Sequence, residues 1–280
     1  MRVVKKLLKL FLIFIAILVL LSGIFAIYVY NIADATPPEV TKQEQVQVAP
    51  PLVTDSIATI GDNWISRNEY GLYEMYISGS PYERGLKAGA LSKQLIVDQE
   101  IAFTNQIKSM IPSEGYLKFL KYIIGFMNRD LPDHVTREYQ LEIYGISQYA
   151  LDSFDWIGTR YSRILNYHAA HDIGHAMQSM MLVGCTSFGA WADKTQDSSL
   201  IIGRNFDFWV GDAFAENKIV EFVSPDSGYN FAYITWGGFI GVVSGMNDKG
   251  LTVTINAAPS KIPFGAATPV SLVAREILQY

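Results

Sequence analysis

The motif GCTSF at residues 184–188 marks a change of pattern in this chain, and SLIIGRNFDF follows at residues 199–208. Before it, apolar residues recur every three or four positions, which is the period of a helix. After it, they occur in short runs rich in β-branched and aromatic side chains, at residues 218–223, 230–236 and 251–257. The sequence therefore predicts an α+β protein whose first half is mainly helical and whose second half begins as a sheet.

The helical pattern runs from about Tyr82 to Met180 and is preceded by GSPYERG at residues 79–85, a turn followed by a helix start. Gly85 and Gly89 lie four residues apart and therefore on one face of the first helix. Because neither carries a side chain, we expect another backbone to pack closely against that face.

The composition indicates a globular chain. Of its 280 residues, 50% are hydrophobic and 18% charged, which is enough apolar material for a large core. The 27 acidic residues outnumber the 22 basic ones, and four of the basic residues precede Leu10, so the remaining chain is more acidic still. We therefore expect no nucleic-acid partner. One cysteine excludes an internal disulfide.

The N-terminus predicts a membrane segment. The four basic residues are followed by an uncharged run, Phe11–Tyr30, long enough as a helix to cross a hydrocarbon core of about 30 Å. The basic flank should stay in the cytoplasm, so the folded domain would lie on the extracytoplasmic side. A cleavable signal peptide ending near Ala33–Ala35 is the alternative. The domain is then either membrane-anchored or secreted.

Cys185 is the first candidate for chemistry, although a free cysteine is more often a small buried hydrophobe. A cysteine nucleophile needs a base, and the histidines are His134, His168, His171 and His175. The last three are spaced to share one helix face, so three readings stay open for them: a metal site, a base for the cysteine, or a structural or solvated face.

A second source of base needs no histidine. Cleavage of the Gly184–Cys185 bond would give Cys185 a free α-amino group, whose pKa is about 7.7 to 8.0 in ordinary chains. The nucleophile would then carry its own base, as known for N-terminal threonine nucleophiles.

Three motifs in order carry a resemblance to a known group of enzymes: GCTSF, then IIGRNFDF at residues 201–208, then GFIGVVSGMNDKGLTVTINA at residues 238–257. Together with GSPYERG, they resemble the N-terminal-nucleophile hydrolases of the penicillin acyltransferase (peptidase C45), acid ceramidase and choloylglycine hydrolase group. The resemblance implies an αββα sandwich, made as a precursor that cleaves itself before the nucleophile cysteine.

Carried onto this chain, the resemblance implies that Cys185 is the nucleophile, that Arg204 and Asp207 lie close to it, and that Asn256 supplies the oxyanion hole. Arg204 and Asp207 are three residues apart, so both reach Cys185 only if their strand ends or bulges near Asp207. An ordinary surface pair is the alternative for them. Strand alternation places Asn256 with Thr252 and Thr254, on a face that lines a site or is simply solvated.

The domain division that follows has four parts. Residues 1–30 are the basic flank and anchor or signal, 31–56 a linker with two proline pairs, 57–184 a mainly helical proregion or α-subunit, and 185–280 the start of the catalytic domain. In related enzymes a further asparagine and arginine lie downstream. The amphipathic pattern at residues 268–280 has no stop signal, so we expect a sandwich that is incomplete at the C-terminus.

The function predicted from this resemblance is an exported, self-processing amidohydrolase or acyltransferase. Its substrate would be a small N-acyl amide, and neither a cofactor nor a metal is expected. The sequence does not choose between hydrolysis and acyl transfer. Two other classes stay open, namely a non-catalytic envelope protein that binds or scaffolds and a metalloenzyme that uses His168, His171 and His175.

Overall fold

The computed structural model describes residues 2–176, 183–256 and 267–280, and of residues 171–176 and 183 only the backbone. It has the mixed α+β architecture that the sequence predicts. The helices are α1 (Arg2–Ile32), α2 (Pro81–Leu91), α3 (Lys93–Met110), α4 (Glu114–Met127), α5 (Arg137–Ser147), α6 (Arg160–Ala176), α7 (Asp212–Ala215) and α8 (Val270–Gln279). The strands are β1 (Leu52–Thr54), β2 (Ile57–Ile60), β3 (Asn63–Arg67), β4 (Tyr73–Gly79), β5 (Val183–Ala192), β6 (Ser198–Phe208), β7 (Ile219–Pro225), β8 (Phe231–Thr235), β9 (Ser244–Asn247) and β10 (Thr252–Thr254). The predicted end of the helical pattern, Met180, lies outside the described residues.

One large sheet contains strands from both ends of the domain. Its order is β1-β2-β3-β4-β7-β8-β9-β10, and every neighbouring pair is antiparallel except β4 and β7, which are parallel. Helices α2 to α7 and the hairpin β5–β6 lie between β4 and β7 in sequence. The segment 57–184, expected to be mainly helical, therefore also supplies three strands. The first strand begins at Leu52, inside the expected linker, because it pairs with β2.

The close approach predicted for the first helix of the domain is present between α2 and α5. A Cβ atom on Gly85 would lie 2.1 Å from the carbonyl oxygen of Glu142. In the opposite direction, a Cβ atom on Gly145 would lie 2.7 Å from the carbonyl oxygen of Tyr82. Since backbones can meet at this distance only without side chains, these glycines set the spacing of the two helices.

The main apolar core lies between the sheet and the helices. It joins side chains of β2, β3, β4 and β7 to side chains of α2, α3, α5, α6 and α8, including Met75, Ile77, Ile96, Ile143 and Leu272. A second, smaller apolar cluster packs β7 and β8 against α8, and includes Val223, Tyr233 and Leu278.

A buried ionic cluster holds three helices together. Glu142 of α5 accepts hydrogen bonds from Arg84 of α2 at 2.8 Å and from Arg275 of α8 at 2.8 Å, and all three side chains are buried. Burial alone would raise the pKa of Glu142, but Arg275 and Arg84 together lower it below its ordinary value. The cluster depends on all its members, because losing one would leave a buried charge without its partner.

Helix α1 is 31 residues long and apolar enough to cross a membrane, and no residue of its most apolar window is buried in the domain. A membrane anchor and a signal segment share these properties.

Candidate active site

The β5–β6 hairpin carries most of the predicted site. Cys185 pairs with Phe206, and Ser187 pairs with Arg204. Because cross-strand partners share a face and strand residues alternate, these four side chains lie on one face of the hairpin. The pairing is regular from Val183 to Ala190 and shifts only beyond it.

Arg204 is the centre of this face. Its Nη2 lies 3.7 Å from the Sγ of Cys185, and its Nη1 donates to the Oγ of Ser244 at 2.8 Å. Its Nη2 also donates to the carbonyl oxygen of Ile255, and its guanidinium lies over the Phe206 ring at 4.6 Å. Since Ser244 and Ile255 belong to the region of β9 and β10, Arg204 ties the hairpin to the large sheet.

The electrostatic environment of Arg204 follows from this position. Burial lowers the pKa of its guanidinium, and the negative charge of an ionised Cys185 opposes that effect. An arginine guanidinium nevertheless stays protonated at neutral pH. It therefore offers a fixed positive charge beside a half-buried sulfur.

Asp207 lies on the other face. Strand β6 continues to Phe208 without a bulge near Asp207, so the strand does not bring Asp207 to the thiol. Instead, Asp207 pairs with Gly184, and a Cβ atom on Gly184 would lie 3.6 Å from its Oδ2. The carboxylate thus approaches the peptide bond predicted to be cut.

Asn256 reaches the cysteine face from the large sheet. It follows β10, and its Nδ2 donates to the Oγ of Ser187 at 3.1 Å. The preceding residue, Ile255, is buried and donates its N–H to the carbonyl oxygen of Val243, which fixes the backbone there. Sequence reasoning missed Ser187, although its position two residues after Cys185 in a predicted strand already implied a shared face.

The histidine face predicted in α6 is structural at His168. Its Nδ1 lies 2.8 Å from the carbonyl oxygen of Ile164 and its Nε2 accepts the N–H of Ile240 at 3.0 Å, so both ring nitrogens are used. Burial lowers the pKa of His168 to about 4, and the ring is neutral. His168 therefore serves neither as a metal ligand nor as a base for Cys185. The side chains of His171 and His175 lie outside the described residues.

Elsewhere in the described part of the chain, no group of three or more acidic, histidine or cysteine side chains has metal-binding geometry. His134 is exposed at the end of a short turn, where its carbonyl oxygen accepts a hydrogen bond from the hydroxyl of Thr268.

An aromatic pocket adjoins the cysteine face, because Phe206, the partner of Cys185, forms one of its walls. The other aromatic lining residues are Phe103, Tyr167, Phe208, Phe214, Trp236 and Phe239. Its volume is about 30 Å³, room for two or three water-sized spheres. Gln99 also lines the pocket, is 9% exposed, and its Nε2 has no hydrogen-bond partner among the described residues.

A cysteine beside a fixed arginine, with an amide donor on the same face, is an arrangement suited to acyl transfer through a thioester. Residues 193–280 match the family model of acyl-coenzyme A:6-aminopenicillanic acid acyl-transferase. This match confirms the resemblance to the penicillin acyltransferase group. The matched region includes Arg204, Asp207 and Asn256 and begins after Cys185.

Two curated proteins are similar over much of the chain. An uncharacterized protein from Archaeoglobus fulgidus is 27% identical over 231 residues, covering 75% of this chain and 37% of that protein. Protein dcd1A from Dictyostelium discoideum is 26% identical over 203 residues, covering 64% of this chain and 42% of that protein. The chain thus spans about two fifths of the length of these relatives.

Proposed function

We propose that this protein is an exported, self-processing amidohydrolase or acyltransferase that forms an acyl-thioester on Cys185. One observation carries the proposal. On one face of the hairpin, Arg204 contacts the sulfur of Cys185, and Asn256 donates a hydrogen bond to Ser187 on the same face. The match to an acyltransferase family supports the same reaction class.

Self-processing would begin at the Gly184–Cys185 bond. The sulfur attacks the carbonyl carbon of Gly184, the carbon–nitrogen bond breaks, and the thiol proton moves to the released nitrogen. Water then hydrolyses the resulting thioester, which leaves a carboxylate on Gly184 and restores the thiol. Asp207 lies beside Gly184 and would accept a hydrogen bond from the new α-amino group.

Turnover would use the freed α-amino group as the base. It takes the thiol proton of Cys185, and the sulfur attacks the carbonyl carbon of the substrate amide. The oxyanion that forms accepts a hydrogen bond from the Nδ2 of Asn256, and Arg204 supplies positive charge. The carbon–nitrogen bond then breaks, the leaving amine takes the proton back, and water or a second amine resolves the thioester.

The aromatic pocket is the candidate site for the acyl group. Its wall at Phe206 lies next to the nucleophile, and its lining is mainly aromatic, with Gln99 and Glu100 as polar members. A volume of about 30 Å³ has room for only a short, narrow acyl group. The unpartnered amide of Gln99 would favour a chain with an oxygen acceptor along it.

Trapping of the thioester tests the proposal. The full chain is incubated with a set of N-acyl p-nitroanilides and quenched in acid, and the mass of the fragment containing Cys185 is measured. We expect an acyl adduct that hydroxylamine removes, and neither adduct nor product with Cys185→Ala. Equal p-nitroaniline release by the wild type and Cys185→Ala would contradict a cysteine mechanism. A lack of turnover across the set would favour a non-catalytic binding protein.

A further inference from the structure

Helix α4 carries an exposed apolar stripe. Tyr116, Phe119, Ile123 and Met127 are spaced by three and four residues, so they lie along one side of the helix. Their exposed fractions are 51%, 57%, 40% and 52%. Four large apolar side chains in a row on a surface mark a contact with something apolar.

The stripe lies beside the outer end of α1. Phe25 of α1 contacts Phe126 edge to face at a centroid distance of 5.7 Å, and Tyr30 stacks on Tyr122 at 6.1 Å. Gly125 allows the closest approach, since a Cβ atom there would lie 2.4 Å from the carbonyl oxygen of Ala33. Helix α4 is therefore packed against the last turns of the apolar helix.

The chain just after α1 is built into the domain. The Oδ1 of Asp34 accepts the N–H of Thr159 at 2.9 Å, and its Oδ2 pairs with Lys121 of α4 at 3.0 Å. The N–H of Ala35 donates to the hydroxyl of Ser162 at 3.2 Å. The segment Ala33–Ala35, which also fits a signal cleavage motif, is thus part of the folded domain, which favours retention of α1.

This junction fixes the depth of α4. In a helix that spans the bilayer, the apolar run ends at Tyr30, just before Asn31, at the level where tyrosine side chains meet lipid headgroups. Helix α4 contacts α1 at Tyr30 and also at Phe25, which lies about 7.5 Å deeper along α1, so the second half of α4 lies at and just below that level. Lys118 is exposed on the side of α4 away from the stripe, as expected for a helix in the plane of the interface.

We propose that α4 is an interfacial helix, and that its apolar stripe inserts into the outer lipid leaflet next to α1. The stripe therefore contacts lipid and not another protein. The domain would then have two membrane contacts, a spanning helix and a surface helix, and would keep a fixed orientation on the membrane.

Fluorescence quenching by spin-labelled lipid tests this inference. Each variant is the full chain carrying Cys185→Ala and one new cysteine. The two stripe variants are Phe119→Cys and Met127→Cys. Each cysteine is labelled with the fluorophore NBD, and the protein is reconstituted in phosphatidylcholine and phosphatidylglycerol vesicles. The matched controls are Lys118→Cys on the same helix and Ser199→Cys on the hairpin.

We expect a blue-shifted emission at positions 119 and 127, and at least twofold stronger quenching by doxyl-labelled lipid than at 118 and 199. Equal quenching at all four positions would overturn the inference, as would strong quenching by aqueous iodide at 119 and 127. Protection from both quenchers, together with cross-linking between chains at 119, would show that a second copy covers the stripe, and would also overturn it.

Discussion

The side-chain amide of Asn256 is the proposed oxyanion donor, and its removal has the most defined consequence. Asn256→Ala deletes the Nδ2 that donates to Ser187 at 3.1 Å, while the backbone held by Ile255 stays in place. Asn256 is exposed, so the free energy of unfolding should change by no more than about 0.5 kcal/mol. Loss of one oxyanion donor costs about 3 to 4 kcal/mol in the transition state, so kcat should fall by about 10²- to 10³-fold.

The assay is p-nitroaniline release from an N-acyl p-nitroanilide, with kcat expressed per cleaved chain so that a processing defect does not count as a turnover defect. Ser187→Ala is the control, because it removes only the partner of the amide. We expect a less than tenfold effect from it, since a single neutral hydrogen bond contributes about 1 kcal/mol. A kcat for Asn256→Ala within twofold of the wild type, measured beside an inactive Cys185→Ala, would refute the role of this amide.

Three further predictions concern buried polar groups. Glu142→Gln should lower the free energy of unfolding by about 3 kcal/mol or more, because Arg84 and Arg275 lose their shared carboxylate. Urea titration measures this, and a loss below about 1 kcal/mol would contradict the prediction. Burial raises the pKa of Glu221 from 4.5 to about 8, so the folded protein keeps a proton that the unfolded chain loses and stability falls as pH rises through this window. Glu221→Gln should flatten that slope of at most about 1.4 kcal/mol per pH unit, and an unchanged slope would refute the assignment. Gln99→Leu should lower kcat/KM about tenfold for substrates whose acyl chain carries an oxygen, and should change it less for plain alkyl chains. Equal losses for both kinds of substrate would exclude a hydrogen bond from Gln99 to the substrate.

Local patterns predicted the parts of the fold that depend on neighbouring residues. The glycines of α2 indicated a close helix contact because they share a face at helical spacing, and Gly85 does meet α5. The alternation of a strand placed Arg204 and Asp207 on opposite faces, and the regular hairpin keeps them so. The same alternation could have found Ser187.

Long-range pairing could not be predicted in this way. The parallel pair β4–β7 joins residues near Met75 to residues near Glu221. Helices α2 to α7 lie between these strands in sequence, and no local pattern indicates that they pair. The hydrogen bonds that Arg204 donates to Ser244 and to Ile255 depend on how the hairpin packs against the large sheet, which no local pattern predicts. The sequence predicts a helix over the stripe of α4, but it does not show which face of that helix stays exposed.

The state of the Gly184–Cys185 bond in the mature protein decides whether Cys185 acts as an N-terminal nucleophile. Intact-mass measurement and N-terminal sequencing of the purified full chain should give two fragments, the second starting at Cys185. Cys185→Ala should give one uncut chain. A fully active wild type that still contains the joined Gly184–Cys185 bond would contradict the mechanism.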